Sequence, residues 1–99
     1  RILDAACGTG RYFGPLLADG VDVIGFDFSL AMLRQARATH PGVPLVHADL
    51  DQQLPFRSAA FSHVLCTQTL KHLPDLKRPL KELARTLRRG GLLVFSVGI

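Results

Sequence analysis

The sequence predicts an α/β fold built on a doubly wound parallel sheet. Short apolar segments alternate with amphipathic ones in the order strand, helix, strand, helix, strand, strand, helix, strand. A glycine-containing turn follows the first apolar segment, and an acidic residue, Asp27, closes the second. Because right-handed crossovers place the carboxyl ends of all parallel strands along one edge, we expect a site there.

The first half of this pattern starts with a short buried strand at Arg1–Ala5. A helix is expected over Tyr12–Asp19, where an early proline is tolerated in the first turn and Gly20 suits the exit. Val21–Phe26 is rich in β-branched and apolar residues, which predicts a second strand that is buried on both faces, with Asp27 directly after its carboxyl end.

The middle of the chain contains a second helix and two strands. Ser29 is a good N-cap for a helix that runs to about Ala38, and Pro41 prevents that helix from continuing. Leu45–Ala48 reads as a short third strand. A loop separates it from the fourth strand at Phe61–Cys66.

The last part contains the clearest helix, over Asp75–Arg89. Gly90-Gly91 is expected to end this helix, and Leu92–Val97 to form the fifth strand. The segment Thr67–Pro74 fits either a loop or one helical turn. Leucines at helical spacing predict the buried stripe of the helix: Leu76, Leu80, Leu83 and Leu87.

Composition limits the class of protein. The chain has 99 residues, of which 47% are hydrophobic and 20% charged, as in one ordinary globular domain. Its apolar runs are too short to span a bilayer, so no membrane span is expected. Two cysteines do not make a disulfide framework, which favours a cytoplasmic location. The histidines lack metal-ligand spacing with the cysteines, so we expect no metal.

The net charge of +4 is unevenly distributed. Most basic residues lie between Lys71 and Arg89, whereas most acidic residues lie between Asp4 and Asp51. The basic segment fits either a solvated helix face or a surface that attracts tRNA or acidic substrates.

The turn after the first strand has glycines at positions 8 and 10. Gly8 and Gly10 permit positive φ and allow a ligand to approach the main chain closely. A helix that follows at once would direct its free N–H groups into the same space and favour an anionic group.

Five ordered segments resemble the motifs of the class I S-adenosylmethionine-dependent methyltransferases, in the branch that acts on small molecules, lipid quinones or tRNA. Nearly the whole chain is covered. The one departure is Ala6, where that family usually has the first glycine of its loop. The segments are Asp4–Gly10, Gly25–Ser29, His47–Leu50, Leu54–Phe56 and Leu87–Phe95.

The resemblance implies a Rossmann-like sheet with strand order 3-2-1-4-5 and the first strand in the centre. It also implies that residues 1–99 are the cofactor-binding core domain of a longer chain, a fragment without the family's last two strands. The implied activity is transfer of a methyl group from S-adenosylmethionine to an acceptor that the sequence does not identify. A small molecule is the expected acceptor class, and tRNA remains open.

Several acids are candidates for holding this cofactor. The Asp27 carboxylate can accept hydrogen bonds from both ribose hydroxyls, although it could also simply cap the helix that begins after Ser29. The resemblance assigns Asp49 to the adenine amino group and the backbone N–H of Leu50 to a ring nitrogen. It assigns Asp4 to the orientation of the loop or of the methionine ammonium group.

Other residues complete the expected site. Phe28 and Met32 can cover the adenine or the ribose, and Thr67 follows the fourth strand on the methyl-transfer side. His72 is the candidate general base for an acceptor that must lose a proton. The expected cofactor-binding residues are Asp4, Ala6, Cys7, Gly8, Gly10, Asp27, Phe28, Met32, Asp49, Leu50 and Thr67.

The two cysteines give a separate hypothesis. If the first and fourth strands are neighbours, Cys7 and Cys66 both follow their carboxyl ends and could form an oxidation-sensitive pair of thiols. The alternative is that both are small buried fillers.

Two other functions remain open at this point. A NAD-dependent oxidoreductase would use the same glycine turn and acid, but Arg11-Tyr12-Phe13 lacks the third glycine of its motif. The second is a non-catalytic module that binds the cofactor weakly or serves as an interaction module, and only Ala6 supports it.

Overall fold

The computed structural model describes residues 1–67 and 73–96, and these form a single five-stranded sheet with helices packed against it. The strands are β1 (Ile2–Ala5), β2 (Val23–Asp27), β3 (Leu45–His47), β4 (Phe61–Cys66) and β5 (Leu87–Phe95). The helices in these ranges are α1 (Phe13–Ala18), α2 (Leu30–Thr39) and α3 (Lys77–Thr86). The predicted alternation of strands and helices is confirmed.

The sheet has the order β3-β2-β1-β4-β5, and every neighbouring pair is parallel. This confirms both the doubly wound fold and the central position of β1. In β1, Ala5 pairs with Phe26 of β2 on one side and with Cys66 of β4 on the other. The carboxyl ends of these three strands therefore meet at one edge, on both sides of the point where the strand order reverses.

Two hydrophobic cores cover the two faces of the sheet. On one face, Leu3 and Ala5 of β1 pack with Phe26 and with Leu83 of α3. Phe13 of α1 belongs to the other core, whose buried members also include Val23, Leu33 and Ala36. Because side chains alternate along a strand, β2 contributes Phe26 to the first core and Val23 to the second, and this burial on both faces explains its apolar sequence.

Helix α2 follows the prediction closely. The Ser29 side chain accepts a hydrogen bond from the Met32 N–H at 3.2 Å, which satisfies one of the free N–H groups of the first turn. The helix ends at Thr39, with His40 as its C-cap, one residue beyond the predicted end at about Ala38. Strand β2 extends to Asp27, one residue beyond the predicted Phe26.

The predicted end of α3 is wrong. The helix ends at Thr86, and β5 already begins at Leu87, instead of beginning at Leu92 after a helix end at Gly90-Gly91. Leu87 has an extended backbone and pairs with Phe61, whereas the next regular pair is His63 with Leu92.

Residues 88–91 therefore form an irregular bulge within β5. Gly90 has φ +79°, and a Cβ on Gly91 would lie 2.9 Å from the carbonyl oxygens of Arg88 and Ser62. The two glycines permit this bulge at the start of a strand and do not terminate the helix.

Candidate functional site

The loop between β1 and α1 occupies the carboxyl edge of the central strand. Its backbone is held by hydrogen bonds from the Cys7 N–H to the Phe26 carbonyl at 2.8 Å and from the Gly10 N–H to the Cys7 carbonyl at 3.0 Å. Ala6, Gly8 and Gly10 all have positive φ, of 55°, 57° and 87°. Ala6 therefore takes the left-handed conformation that favours glycine.

Helix α1 begins at Phe13, one residue after the predicted start at Tyr12. A series of turns carries the chain to Phe13, whose N–H donates to the Gly10 carbonyl at 3.0 Å. The Gly8 N–H is also engaged, because it donates to the Asp27 carboxylate. Hydrogen bonds within the loop and to Asp27 thus fix its backbone. The amino terminus of the short helix α1 is not needed to form the site.

Asp27 links the loop to the start of α2. Its Oδ2 accepts the Gly8 N–H at 2.8 Å, and its Oδ1 accepts the Ser29 N–H at 2.8 Å. Each carboxylate oxygen has a second lone pair, so two further hydroxyl donors can still be accepted. Asp27 therefore fixes the loop and the helix start, and its carboxylate can still bind a ligand's diol.

Two cavities lie along this edge, and Ala6 lines both. The first, of about 260 Å³, is lined by Asp4 and the loop, together with Met32 and Thr67. The second, of about 290 Å³, is lined by Asp27, Phe28, Ala48, Asp49 and Leu50, and also by Phe26 and Leu73. The structure thus brings together ten of the eleven predicted cofactor-binding residues: Asp4, Ala6, Cys7, Gly8, Met32 and Thr67 in the first cavity, and Asp27, Phe28, Asp49 and Leu50 in the second.

Asp4 lies at the floor of the first cavity, which we call the loop cavity. Its side chain is 2% exposed, and its Oδ2 has no hydrogen-bond partner in residues 1–67 or 73–96. Burial, with a smaller effect from the negative charge of Asp27, raises the pKa of the Asp4 carboxyl group to about 7. A buried polar atom without a partner is costly, so this carboxyl group is suited to a cationic or hydrogen-bonding ligand.

Asp49 occupies the second cavity, which we call the outer cavity. Its Oδ1 accepts the Asp51 N–H at 2.9 Å, and this contact holds the loop after β3 in a turn. Asp49 keeps acceptor capacity on its other oxygen. Leu50 lines the same cavity, while its side chain is 5% exposed and packs in the core.

Phe28 gives the outer cavity an exposed aromatic wall. The ring is 68% exposed, and its centroid lies 6.0 Å from that of His47. The His47 ring in turn lies 2.8 Å from the Phe28 carbonyl through its Nε2. Met32 lines the other cavity, so the two apolar side chains predicted to act together serve different parts of the site.

Some lining residues were missed by sequence reasoning. Tyr12 and Thr9 border the loop cavity, and Arg11 of the same cavity stacks on the Tyr12 ring at 5.7 Å. Leu73 borders the outer cavity, although it lies in the segment that sequence patterns left unassigned. Tyr12 could have been predicted from the sequence, because it lies two residues after Gly10 of the loop. No sequence pattern indicated Leu73. Gly10 shapes the loop without lining either cavity. His72 lies outside the described residues.

The proposed pairing of Cys7 with Cys66 stays a prediction. Both thiols are free and buried, as that hypothesis requires, and they pack in different cores, Cys7 with Phe13 and Cys66 with Val64. Cys7 follows the left-handed residue Ala6, and its N–H donates to the Phe26 carbonyl at 2.8 Å. Burial raises the pKa of the Cys7 thiol to about 12 and that of Cys66 to about 11, so both are poor thiolates at neutral pH.

The described ranges contain neither a group of three or more His, Cys, Asp or Glu that could hold a metal ion nor a helix that is long and apolar enough to cross a membrane.

This arrangement of a parallel sheet, a glycine loop and acids at the ends of adjacent strands is shared with known enzymes. The chain matches the Methyltransferase domain family over residues 3–95, and it therefore belongs to the class I S-adenosylmethionine-dependent methyltransferases. This match supports the family resemblance of the sequence over the NAD-dependent alternative.

Individual relatives make the comparison more specific. The chain is 35% identical over 96 residues to the demethylmenaquinone methyltransferase of Renibacterium salmoninarum, covering 97% of this chain and 40% of that protein. It is 39% identical to the same enzyme of Clavibacter sepedonicus, covering 95% of this chain and 39% of that protein.

A solved structure of an S-adenosylmethionine-dependent methyltransferase from Mesorhizobium loti has a TM-score of 0.87 and 33% identity, and the match covers 96% of this chain and 45% of that one. The chain thus spans less than half the length of each of these relatives.

Proposed function

We propose that this chain is the cofactor-binding core domain of an enzyme that transfers the methyl group of S-adenosylmethionine to a small-molecule acceptor. The observation that carries the proposal is the placement of three acids, Asp4, Asp27 and Asp49, in two cavities that share Ala6 at one edge of the sheet. Each acid retains unused acceptor capacity, and the cofactor offers a diol, an amino group and an ammonium group.

The residues fit the chemical groups of this cofactor. Asp27 can accept both ribose hydroxyls, since each of its oxygens accepts only one backbone N–H. In the outer cavity, Asp49 and the backbone of Leu50 are suited to the edge of the adenine, and Phe28 to its face. In the loop cavity, the unpartnered Oδ2 of Asp4 is suited to the methionine ammonium group.

The chain contributes to the reaction by positioning. S-adenosylmethionine supplies an electrophilic methyl group on a sulfonium when it is bound. The loop and Asp27 would hold the bound cofactor in place. Thr67, directly after β4, borders the side of the loop cavity from which an acceptor would approach. Holding the two reactants in line is the main requirement for such a displacement. His72 remains our predicted general base for acceptors that must lose a proton.

A small aromatic or quinone acceptor is the substrate class we favour. The relatives named above are demethylmenaquinone methyltransferases, and Phe28 and Met32 provide exposed apolar surface beside the two cavities. A tRNA acceptor is less well supported. The basic residues Arg78 and Lys81 line a separate cavity on α3 that shares no residue with the site. We also propose a cytoplasmic location, which agrees with two free cysteines.

Calorimetric titration of the protein with S-adenosylmethionine, with its demethylated product and with NAD tests the proposal. We expect the first two ligands to bind and NAD to bind far more weakly. A preference for NAD would establish the oxidoreductase alternative instead, and no binding of any of the three ligands would leave a non-catalytic module. Incubation with methyl-labelled cofactor and a demethylated quinone then tests the acceptor class, with an unmodified tRNA pool as the comparison.

A further inference from the structure

The loop that connects β3 to β4 contributes Asp49 and Leu50 to the lining of the outer cavity. Before these residues, the Ala48 N–H donates to the Asp27 carbonyl at 3.1 Å. After them, the Gln52 N–H donates to the Asp49 carbonyl at 3.0 Å and closes a turn. The position of this turn therefore depends on what holds the chain directly after Gln52.

Two charged side chains of α3 hold the chain at Leu54, two residues after that turn. Glu82 accepts the Leu54 N–H through Oε2, and Arg85 donates to the Leu54 carbonyl from Nη2 at 3.1 Å. The two side chains are also joined to each other, because Arg85 donates to Glu82 from Nε at 2.8 Å and from Nη2 at 2.9 Å. Leu54 is 2% exposed, so its backbone groups need these partners in place of water.

Arg85 also fixes the second half of the loop. Its Nη1 donates to the Ser58 hydroxyl oxygen at 3.2 Å, and its backbone carbonyl accepts the Ala59 N–H at 2.9 Å. Both members of the ion pair with Glu82 are partly buried, so salt screens this pair less than a fully exposed one. The loop is thus attached to α3 at three of its residues, which are Leu54, Ser58 and Ala59.

Neither Glu82 nor Arg85 is among the described residues that line the loop cavity or the outer cavity. We propose that they are positioning residues: their ion pair holds the loop after β3 against α3, and this keeps Asp49 and Leu50 in place for the adenine edge of the cofactor. A shift of about 1 Å in the loop would take the Asp49 carboxylate out of hydrogen-bond distance of the adenine amino group. This inference rests on the proposed function, since it concerns the same adenine site.

A purely structural role of the ion pair would have a different consequence. As long as the protein stays folded, lower stability alone affects the binding of closely similar ligands equally. Displacement of Asp49 instead weakens the contact with the adenine amino group alone. It therefore lowers the preference for adenine over a base without that group, and this preference is the quantity to measure.

The test compares two ligands by titration calorimetry: S-adenosylhomocysteine, which is the demethylated product, and S-inosylhomocysteine, in which a carbonyl oxygen replaces the amino group of the base. The unsubstituted protein should bind the adenine ligand at least about tenfold more tightly, because the analogue cannot donate a hydrogen bond to the Asp49 carboxylate. In Glu82→Gln this ratio should fall at least about threefold, since the new NH₂ group opposes a donor of Leu54 or Arg85. Arg85→Lys, which lacks the planar guanidinium group, should lower the ratio in the same way.

Asp22→Asn is the matched control. Asp22 also accepts two hydrogen bonds from one arginine, Arg1, at 2.8 and 3.1 Å. This ion pair lies at the amino ends of β1 and β2, at the edge of the sheet opposite the site. The ratio in this variant should equal that of the unsubstituted protein. Each titration is run at a temperature at which thermal unfolding shows the variant to be folded.

Amide hydrogen exchange of the unsubstituted protein is a second measurement, which decides the matter even if the variants do not fold. The Leu54 N–H donates to Glu82, outside the cavities that line the site. If the loop is positioned together with the ligand, S-adenosylhomocysteine should slow exchange at Leu54 more than at Ile2, whose N–H donates to the Asp22 carbonyl at the opposite edge.

The outcomes separate this inference from the proposed function. Equal ratios in Glu82→Gln and in the unsubstituted protein, or exchange at Leu54 that slows no more than at Ile2, would overturn the positioning role and leave the methyltransferase proposal intact. Equal binding of the two ligands by the unsubstituted protein would have the same meaning. Failure of S-adenosylhomocysteine to bind would overturn the proposed function and this inference together.

Discussion

Replacing Asp27 should destabilise the protein before any ligand is added. The carboxylate accepts two backbone N–H groups at 2.8 Å, from Gly8 and from Ser29. A hydrogen bond to a charged group contributes about 1.5–3 kcal/mol, and Asp27 is only partly buried, so we take the lower end for each bond. Asp27→Ala should therefore lower the free energy of unfolding by about 3 kcal/mol.

Asp27→Asn should have about half this effect. Its amide oxygen can accept one of the two N–H groups, while its NH₂ group opposes the other. Urea denaturation of the ligand-free protein measures both losses. In cofactor titrations, each variant should bind S-adenosylmethionine at least about tenfold more weakly, because an acceptor for the ribose is lost.

Asp75→Ala is the matched control for this experiment. Asp75 also accepts a backbone N–H, that of Lys77 at 2.9 Å, but it is exposed and makes a single contact. Its loss should cost less than about 1 kcal/mol. Equal destabilisation by Asp27→Ala and Asp75→Ala would refute the reasoning, because the carboxylate would then not hold the loop to the helix start.

Two further substitutions test the loop. Ala6→Gly should raise the free energy of unfolding by up to about 1 kcal/mol, because it relieves a φ of 55° that disfavours residues with a Cβ; a lower thermal midpoint for this variant would show that no strain is stored there. Gly25→Ala should lower the free energy of unfolding by about 1–3 kcal/mol, since the new Cβ would lie 2.6 Å from Cζ of Phe13 and 2.9 Å from Sγ of Cys7. Gly42→Ala, at an exposed position with open space around it, is the control, and an equal loss in chemical denaturation would contradict close packing at Gly25.

Much of the fold could be predicted because the relevant signals are local. The N-cap at Ser29 and the apolar run of β4 depend on neighbours in the sequence, and both were placed correctly. The strand order came from the family resemblance, since local patterns do not specify which strands pair. The prediction of the end of α3 failed because it too depended on a strand pairing that local patterns do not specify. Leu87 fits the apolar stripe of the helix, but its pairing with Phe61 places it in β5.

In the candidate site, too, local features could be predicted from the sequence and long-range contacts could not. The sequence places Asp4, Asp27 and Asp49 at strand ends, and parallel topology then collects them at one edge of the sheet. The hydrogen bond from the Gly8 N–H to the Asp27 carboxylate joins residues that are distant in the chain, and no hydrophobic periodicity of the sequence predicts it. Cys7 and Cys66 pack in different cores because strand alternation stops applying at Ala6, whose φ is 55°.

The ring of Phe13 packs against the loop on its buried side and restricts the loop's conformation. It is fully buried, and a Cβ at Gly10 or at Gly25 would lie within 3 Å of it, so one aromatic side chain fills the space between the turn and the second strand. A ligand that binds on the solvent-facing side of the loop therefore meets a backbone that already has its binding conformation. Little conformational entropy then has to be lost on association, and affinity can come from a few well-placed oxygen atoms.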